Sequence, residues 1–280
     1  MQDRFSVQQG IVPPPSLGLQ DAPHNLRVTV WNILVNGVLA YGDDDWTENF
    51  KPFYQFLHWP VDEVPHYHNY TPAVDRIKKY VLGTAKWHEF FDLVQFAAYF
   101  GTAPESTARA QRRRVWNSAL ENEGCAYRFV GGRLAPLSTE EEQASVEEAL
   151  SSPLKSVRSH VLTALQKLSD RPAPDIRNAI KEAISAVESA LKVTTDRTKG
   201  DLRDALPAFE SKYGKLHPAF RGAVEKLYAY TSDEKGVRHS LLEDDAKVDF
   251  DDARFMVIAC SALCNFLVAR ATSKGWTVTP

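Results

Sequence analysis

Over most of the chain after Leu26, apolar residues recur at three- and four-residue intervals, residues 42–72 being aromatic and proline-punctuated instead, and only one short stretch alternates with a period of two. Such spacing gathers apolar side chains into one stripe of a helix, so most of this chain can leave water only by packing helix on helix. Leu26, Val30, Ile33, Leu34, Gly37, Val38 and Tyr41 form the first stripe, with His24 or Asn25 placed to cap it. A long helix is expected from Ala73 to Gly101, carrying Val74, Ile77, Val81, Trp87, Phe90, Phe91, Val94 and Ala98, and another from about Pro104, carrying Arg109, Arg112, Arg113 and Arg114. The exception lies between Cys125 and Leu137, where Tyr127, Phe129, Gly131-Gly132 and Leu134 match a hairpin with a glycine turn. Ser138 or Thr139, with Glu141 and Glu142, opens a further helical region that Pro153 divides.

The segment Asp170-Arg171-Pro172-Ala173-Pro174 breaks the pattern and places a domain boundary there, giving a mostly helical domain over 1–170 and a second over 171–280. Four helices are expected in the second. Ile176, Ile180, Ile184, Val187 and Leu191 mark the first. The second runs from Asp201 to a stop at Gly214, and the third opens at Pro218. The fourth starts at Asp249 with Asp251 and Asp252 in its first turn, where the helix dipole favours acids. Short connections favour an antiparallel bundle, so the fold class is mainly α with one short β-hairpin.

Composition narrows the functional classes. With 44% hydrophobic and 25% charged residues the chain builds real cores, and its net charge of −3 gives no global attraction for nucleic acid. Three cysteines without a CxxC pair point to a reducing, cytoplasmic setting. No apolar signal core is visible, and no run approaches the roughly 18 apolar residues of a membrane span, so no membrane contact is expected. His58, His66 and His68 lie in an aromatic, proline-punctuated stretch without nearby cysteines or paired carboxylates, and no metal site is assigned to them. The aromatics between Trp46 and Tyr70 could line a small-molecule pocket, but at that density they more often make a core. Phosphate-loop, serine-esterase and zinc-protease motifs are absent.

The runs DIRNAIKEAISAVESAL from Asp175, HPAFRGAVEKLYAYTSDEKGVRHSLLEDD from His217 and FDDARFMVIACSALCNFL from Phe250 resemble the HEPN bundle of AbiJ-type abortive-infection proteins. RFSVQQGI and LRVTVWNIL, near the start, resemble the N-terminal domain that accompanies it. The resemblance implies a metal-independent, cofactor-free endoribonuclease acting on RNA as a homodimer or higher homo-oligomer, in company with other phage-defence proteins. In that family an arginine, the polar residue after it and a downstream histidine form the site; the histidine moves protons at the ribose 2′-hydroxyl while the arginine steadies phosphate charge.

Arg238 followed by His239 fits the first two positions, whereas the downstream window holds Glu243, Asp244 and Asp245. Either His239 has become the acid–base group, or the domain serves for dimerisation or partner binding without cleavage. On the first bundle helix, Arg177, Lys181 and Glu188 form a polar flank beside a stripe of Asn178, Glu182, Ser185 and Ser189. The resemblance implies Arg177, Asn178 and Glu182 as neighbours of the site. Lys181 lies on the same flank, and Tyr230 is available to stack on a base. The plainer alternatives are a solvated helix face with local ion pairs and a tyrosine that packs in the core.

Overall fold

The computed structural model describes residues 9, 11, 17–39, 46–65, 70–103, 106–137, 139–170, 173–232 and 248–277, the side chains of 46–49 excepted. The fold is mainly α with a single two-stranded hairpin among these residues. The chain divides into two compact units, Met1–Phe129 and Val130–Pro280.

The first unit contains α1 (His24–Ile33), α2 (Trp46–Phe56), α3 (Thr71–Lys79), α4 (Trp87–Tyr99) and α5 (Thr107–Asn122). Each of α1 and α3 widens at its C-terminal end into a π-helical turn, Leu34–Val38 and Tyr80–Thr84, and each turn contains a glycine, Gly37 or Gly83. The long helix expected over Ala73–Gly101 is therefore two. The π turn ends the first, and the main-chain N–H of Lys86 donates to Glu89 Oε2 at 2.8 Å to start the second. Arg27 joins α1 to this junction, its Nη1 donating to Val81 O at 2.8 Å and its Nη2 to Ala85 O at 2.7 Å.

The described part of the aromatic stretch packs largely as core. Phe50, Phe53 and Tyr54 are buried, Phe53 meets Phe96 edge-on with centroids 5.0 Å apart, and Phe56 stacks on Phe96 at 4.4 Å. His66 and His68 lie outside the described residues. The arginines of α5 do structural work in part: Arg109 sits 4.0 Å over the Tyr99 ring and Arg112 donates to the Phe100 carbonyl.

The hairpin pairs β1 (Arg128–Val130) with β2 (Arg133–Ala135). Its turn residues Gly131 and Gly132 have φ of 57° and 83°, the left-handed geometry that a tight two-residue turn demands. A Cβ on Gly131 would also stand 2.8 Å from Leu150 Cδ1.

The second unit contains α6 (Glu140–Leu150), α7 (Lys155–Ser169), α8 (Ile176–Thr194), α9 (Leu202–Tyr213), α10 (Pro218–Ser232) and α11 (Phe250–Ser273). Thr139, Asp201 and Asp249 close capping boxes at the starts of α6, α9 and α11. One continuous core runs from Val130 through Val146, Val161 and Leu165 to Ile184, Phe209, Val257 and Leu267. The sequence break at 170–174 thus joins two helices of one core, α7 and α8, and Asp175 N donates to Lys167 O at 2.9 Å across it. Helix α6 belongs to the same body. Arg254 Nη2 reaches both carboxylate oxygens of Glu142, at 2.7 and 2.6 Å, and Asn265 Nδ2 donates to Ser145 O at 2.9 Å.

Helix α11 is unusually apolar for its length. Averaged over an 18-residue window its mean hydropathy is 1.7, enough by length and composition to cross a membrane, although no uninterrupted apolar run of that length occurs. Half of that window is buried in the protein, and the helix packs along α8, α6 and α7.

Candidate functional site

The described part of the expected site is built on α8. Its buried stripe, Ala179, Ile180, Ala183, Ile184, Ala186 and Val187, faces the core and leaves Arg177, Asn178, Lys181, Glu182 and Ser185 on the outer flanks. Asn178 is committed locally. Its main-chain N–H and its Nδ2 donate to the two carboxylate oxygens of Asp175, at 3.3 and 2.8 Å, which makes Asp175 the helix cap. Ser185 returns its hydroxyl to Lys181 O at 2.8 Å, Lys181 itself is exposed, and Arg177 is half-buried.

Glu182 has a partner that the sequence reading missed. His160, on α7, places Nδ1 2.7 Å from Glu182 Oε2, with both side chains partly exposed. A carboxylate only accepts, so Nδ1 is the donor; in the neutral ring Nε2 then carries the lone pair, and it has no partner among the described residues. The couple can thus take up or deliver a proton at a position water reaches. A signal for it existed: α7 and α8 are joined by a short connection and run back along one another, so residues about equally far from the connection face each other, and 160 falls opposite the low 180s.

Tyr230 lies at the end of α10, 39% exposed, while Tyr228 is buried. Burial, followed by the charge of Asp252 and a hydrogen bond to it, raises the Tyr230 hydroxyl above its ordinary value. This tyrosine is tied to the first turn of α11. Arg238 and His239 lie outside the described residues. No group of three or more metal-ligating side chains gathers among the described residues.

The first unit has a cleft of about 760 Å³ between α1 and α5, lined by Asn32, Ile33, Gly37, Arg114, Val115 and Asn122 among others. Asn122 Nδ2 is buried there without a hydrogen-bond partner among the described residues. The protein-family model for AbiJ N-terminal domain 4 matches residues 3–152, more than half of the 280-residue chain. The chain belongs to the AbiJ N-terminal domain 4 family. An AbiJ-type N-terminal domain is therefore present, and membership points to abortive-infection defence. The AbiJ match extends past the hairpin and through α6, so it takes in the cleft and ends close to the start of α7. No curated protein and no solved structure matches the chain significantly.

Proposed function

We propose that this is an anti-phage abortive-infection protein whose C-terminal helices form a HEPN-type, metal-independent endoribonuclease working as a dimer. His239 exchanges protons with the ribose 2′-hydroxyl or the leaving oxygen, and Arg238 steadies the charge that builds on the phosphate. The reading is carried by one conjunction: an AbiJ-type N-terminal domain over residues 3–152 precedes helices whose sequence resembles a HEPN bundle. The partly exposed flank of α8, with Arg177, Lys181 and the His160–Glu182 couple, offers cations and a proton carrier for an RNA backbone.

The test is cleavage of tRNA or RNA from infected cells by the purified protein in excess EDTA. Wild type is expected to cut, and Arg238→Ala or His239→Ala to lose roughly a hundredfold or more of the rate. Activity that vanishes with chelator, or a fully active His239→Ala chain, overturns the proposal.

A second reading, a non-catalytic HEPN module that binds itself or another defence component, is favoured by Glu243, Asp244 and Asp245 standing where the downstream histidine belongs. It predicts that Arg238→Ala and His239→Ala cells keep full protection against phage.

A further inference from the structure

The outward side of α11 is apolar where a soluble helix is ordinarily polar. Phe255 is 58% exposed and Phe266 38%, and Ala262 is exposed between them. Going along the helix, Asp251, Phe255, Ala259, Ala262, Phe266 and Arg270 are spaced four, four, three, four and four residues apart. At about 100° per residue all six fall within roughly 100° of the helix circumference, so they share one face.

That spacing is the same from either end. When two copies of a helix cross antiparallel about a two-fold axis, each residue meets the one equally far from the midpoint on the partner. Here the midpoint lies between Cys260 and Ser261. Phe255 then meets Phe266 of the second copy, Ala259 meets Ala262, and Asp251 meets Arg270. Ring faces ring, the smallest side chains lie where the helices approach most closely, and acid faces base at both ends.

Arg270 is already held for this role. Its Nη2 donates to Gly214 O and Lys215 O at 3.0 Å, its guanidinium stands 5.9 Å from the Phe266 ring centre, and Nη1 has no partner among the described residues. Asp251 is exposed. Phe220 of α10 meets Phe266 edge-on at 5.1 Å and extends the aromatic surface sideways.

We propose that this face of α11 is a self-association surface, occupied by the same face of a second copy in the antiparallel register just given. The match of acid to base and ring to ring on reading one helix from both ends favours a second copy over an unrelated protein, for which such symmetry has no use. The proposal rests on the dimeric part of the proposed function and not on its nuclease part.

The experiment is the solution mass of the full chain by sedimentation or light scattering across a concentration series. Wild type is expected at twice the 31.4 kDa chain mass in the micromolar range, and Phe255→Glu, at an exposed position that leaves the core untouched, at the monomer mass or with at least a tenfold weaker dimer. Ala259→Cys/Ala262→Cys, oxidised under dilute conditions, is expected to yield a covalent dimer, while Glu225→Cys on the exposed side of α10 does not. A Phe255→Glu chain that is folded by circular dichroism and dimerises like wild type, or absence of the cross-link in a dimeric sample, overturns the assignment of this face and leaves the dimeric reading standing. A wild type monomeric throughout overturns both. RNA cleavage is not read, so failure of the nuclease reading is seen separately.

Discussion

Arg27 shows how one side chain can hold a helix junction together. Its guanidinium supplies hydrogen bonds to Ala22, Val81 and Ala85 carbonyls and lies 4.9 Å over the Phe90 ring. Val81 and Ala85 belong to the π turn after α3 and the residue beyond it, where the ordinary helical ladder stops. Replacing Arg27 by alanine leaves those carbonyls without their donor, and a loss of about 2–3 kcal/mol is expected in denaturant unfolding. Lysine, a single point of charge, should recover less than half of it. A change under about 0.5 kcal/mol would show that water satisfies the carbonyls instead. The cysteines make an opposite case, residues whose chemistry is switched off by their surroundings. Burial pushes the Cys125 thiol up to about 11 and the Cys260 thiol up to about 12, and raises that of Cys264 well above the ordinary value. Because the thiolate is the reactive form, the native protein should give no colour with a thiol-specific disulfide reagent at pH 8, and three equivalents once unfolded. Prompt labelling of even one thiol in the native state would contradict their placement.

At the scale of elements, α8 depends on its cap. The Asn178 side chain above all, and then its main-chain N–H and the Lys167 ammonium, outweigh partial burial and hold the Asp175 carboxyl below the usual carboxylate range. A depressed folded value means that ionised Asp175 stabilises the fold above the ordinary aspartate pKa, and that this contribution disappears as pH falls through the folded value. Asp175→Ala should therefore cost about 1 kcal/mol at pH 7 and progressively less below about pH 4, with Asp175→Asn, whose cap does not titrate, close to wild type at pH 7 and the more stable of the two in acid. An unchanged penalty in acid would remove the carboxylate from the explanation. The same element shows what could be read in advance. Ile176, Ile180, Ile184, Val187 and Leu191 announced α8, Gly131-Gly132 announced the hairpin, and Asp249 with Asp252 announced the start of α11, because caps, turns and stripes are local signals. The π turns were not legible, since Gly37 and Gly83 interrupt apolar patterns that continue on either side. His160 was missed for a different reason: its partner Glu182 is on another helix, and nothing within one turn of either residue records the other.

For the molecule as a whole, the proline-rich break at 170–174 separates two helices without separating two cores. Val146 and Ala149 of α6 and Val157, Val161, Ala164, Leu165 and Leu168 of α7 lie in the same apolar cluster as α8, α9 and α11, and Glu142 and Ser145 hold α11 by side-chain and main-chain oxygens. A composition break in the sequence reports where the chain turns; whether packing continues across it depends on residues far apart in the chain. Cutting at the break would strip α8 and α11 of the faces that cover them. Burial of an aliphatic side chain is worth about 1.5–3 kcal/mol, so losing five Val and Leu side chains removes a contribution comparable to the roughly 5–15 kcal/mol by which such domains are stable. A fragment of residues 130–280 is therefore expected to unfold cooperatively on heating, whereas a fragment of residues 171–280 should aggregate or bind a hydrophobic dye with helical content but no sharp transition. Should the shorter fragment melt cooperatively within a few degrees of the longer one, α6 and α7 would be accessory to the bundle, and the boundary would belong at 170 after all.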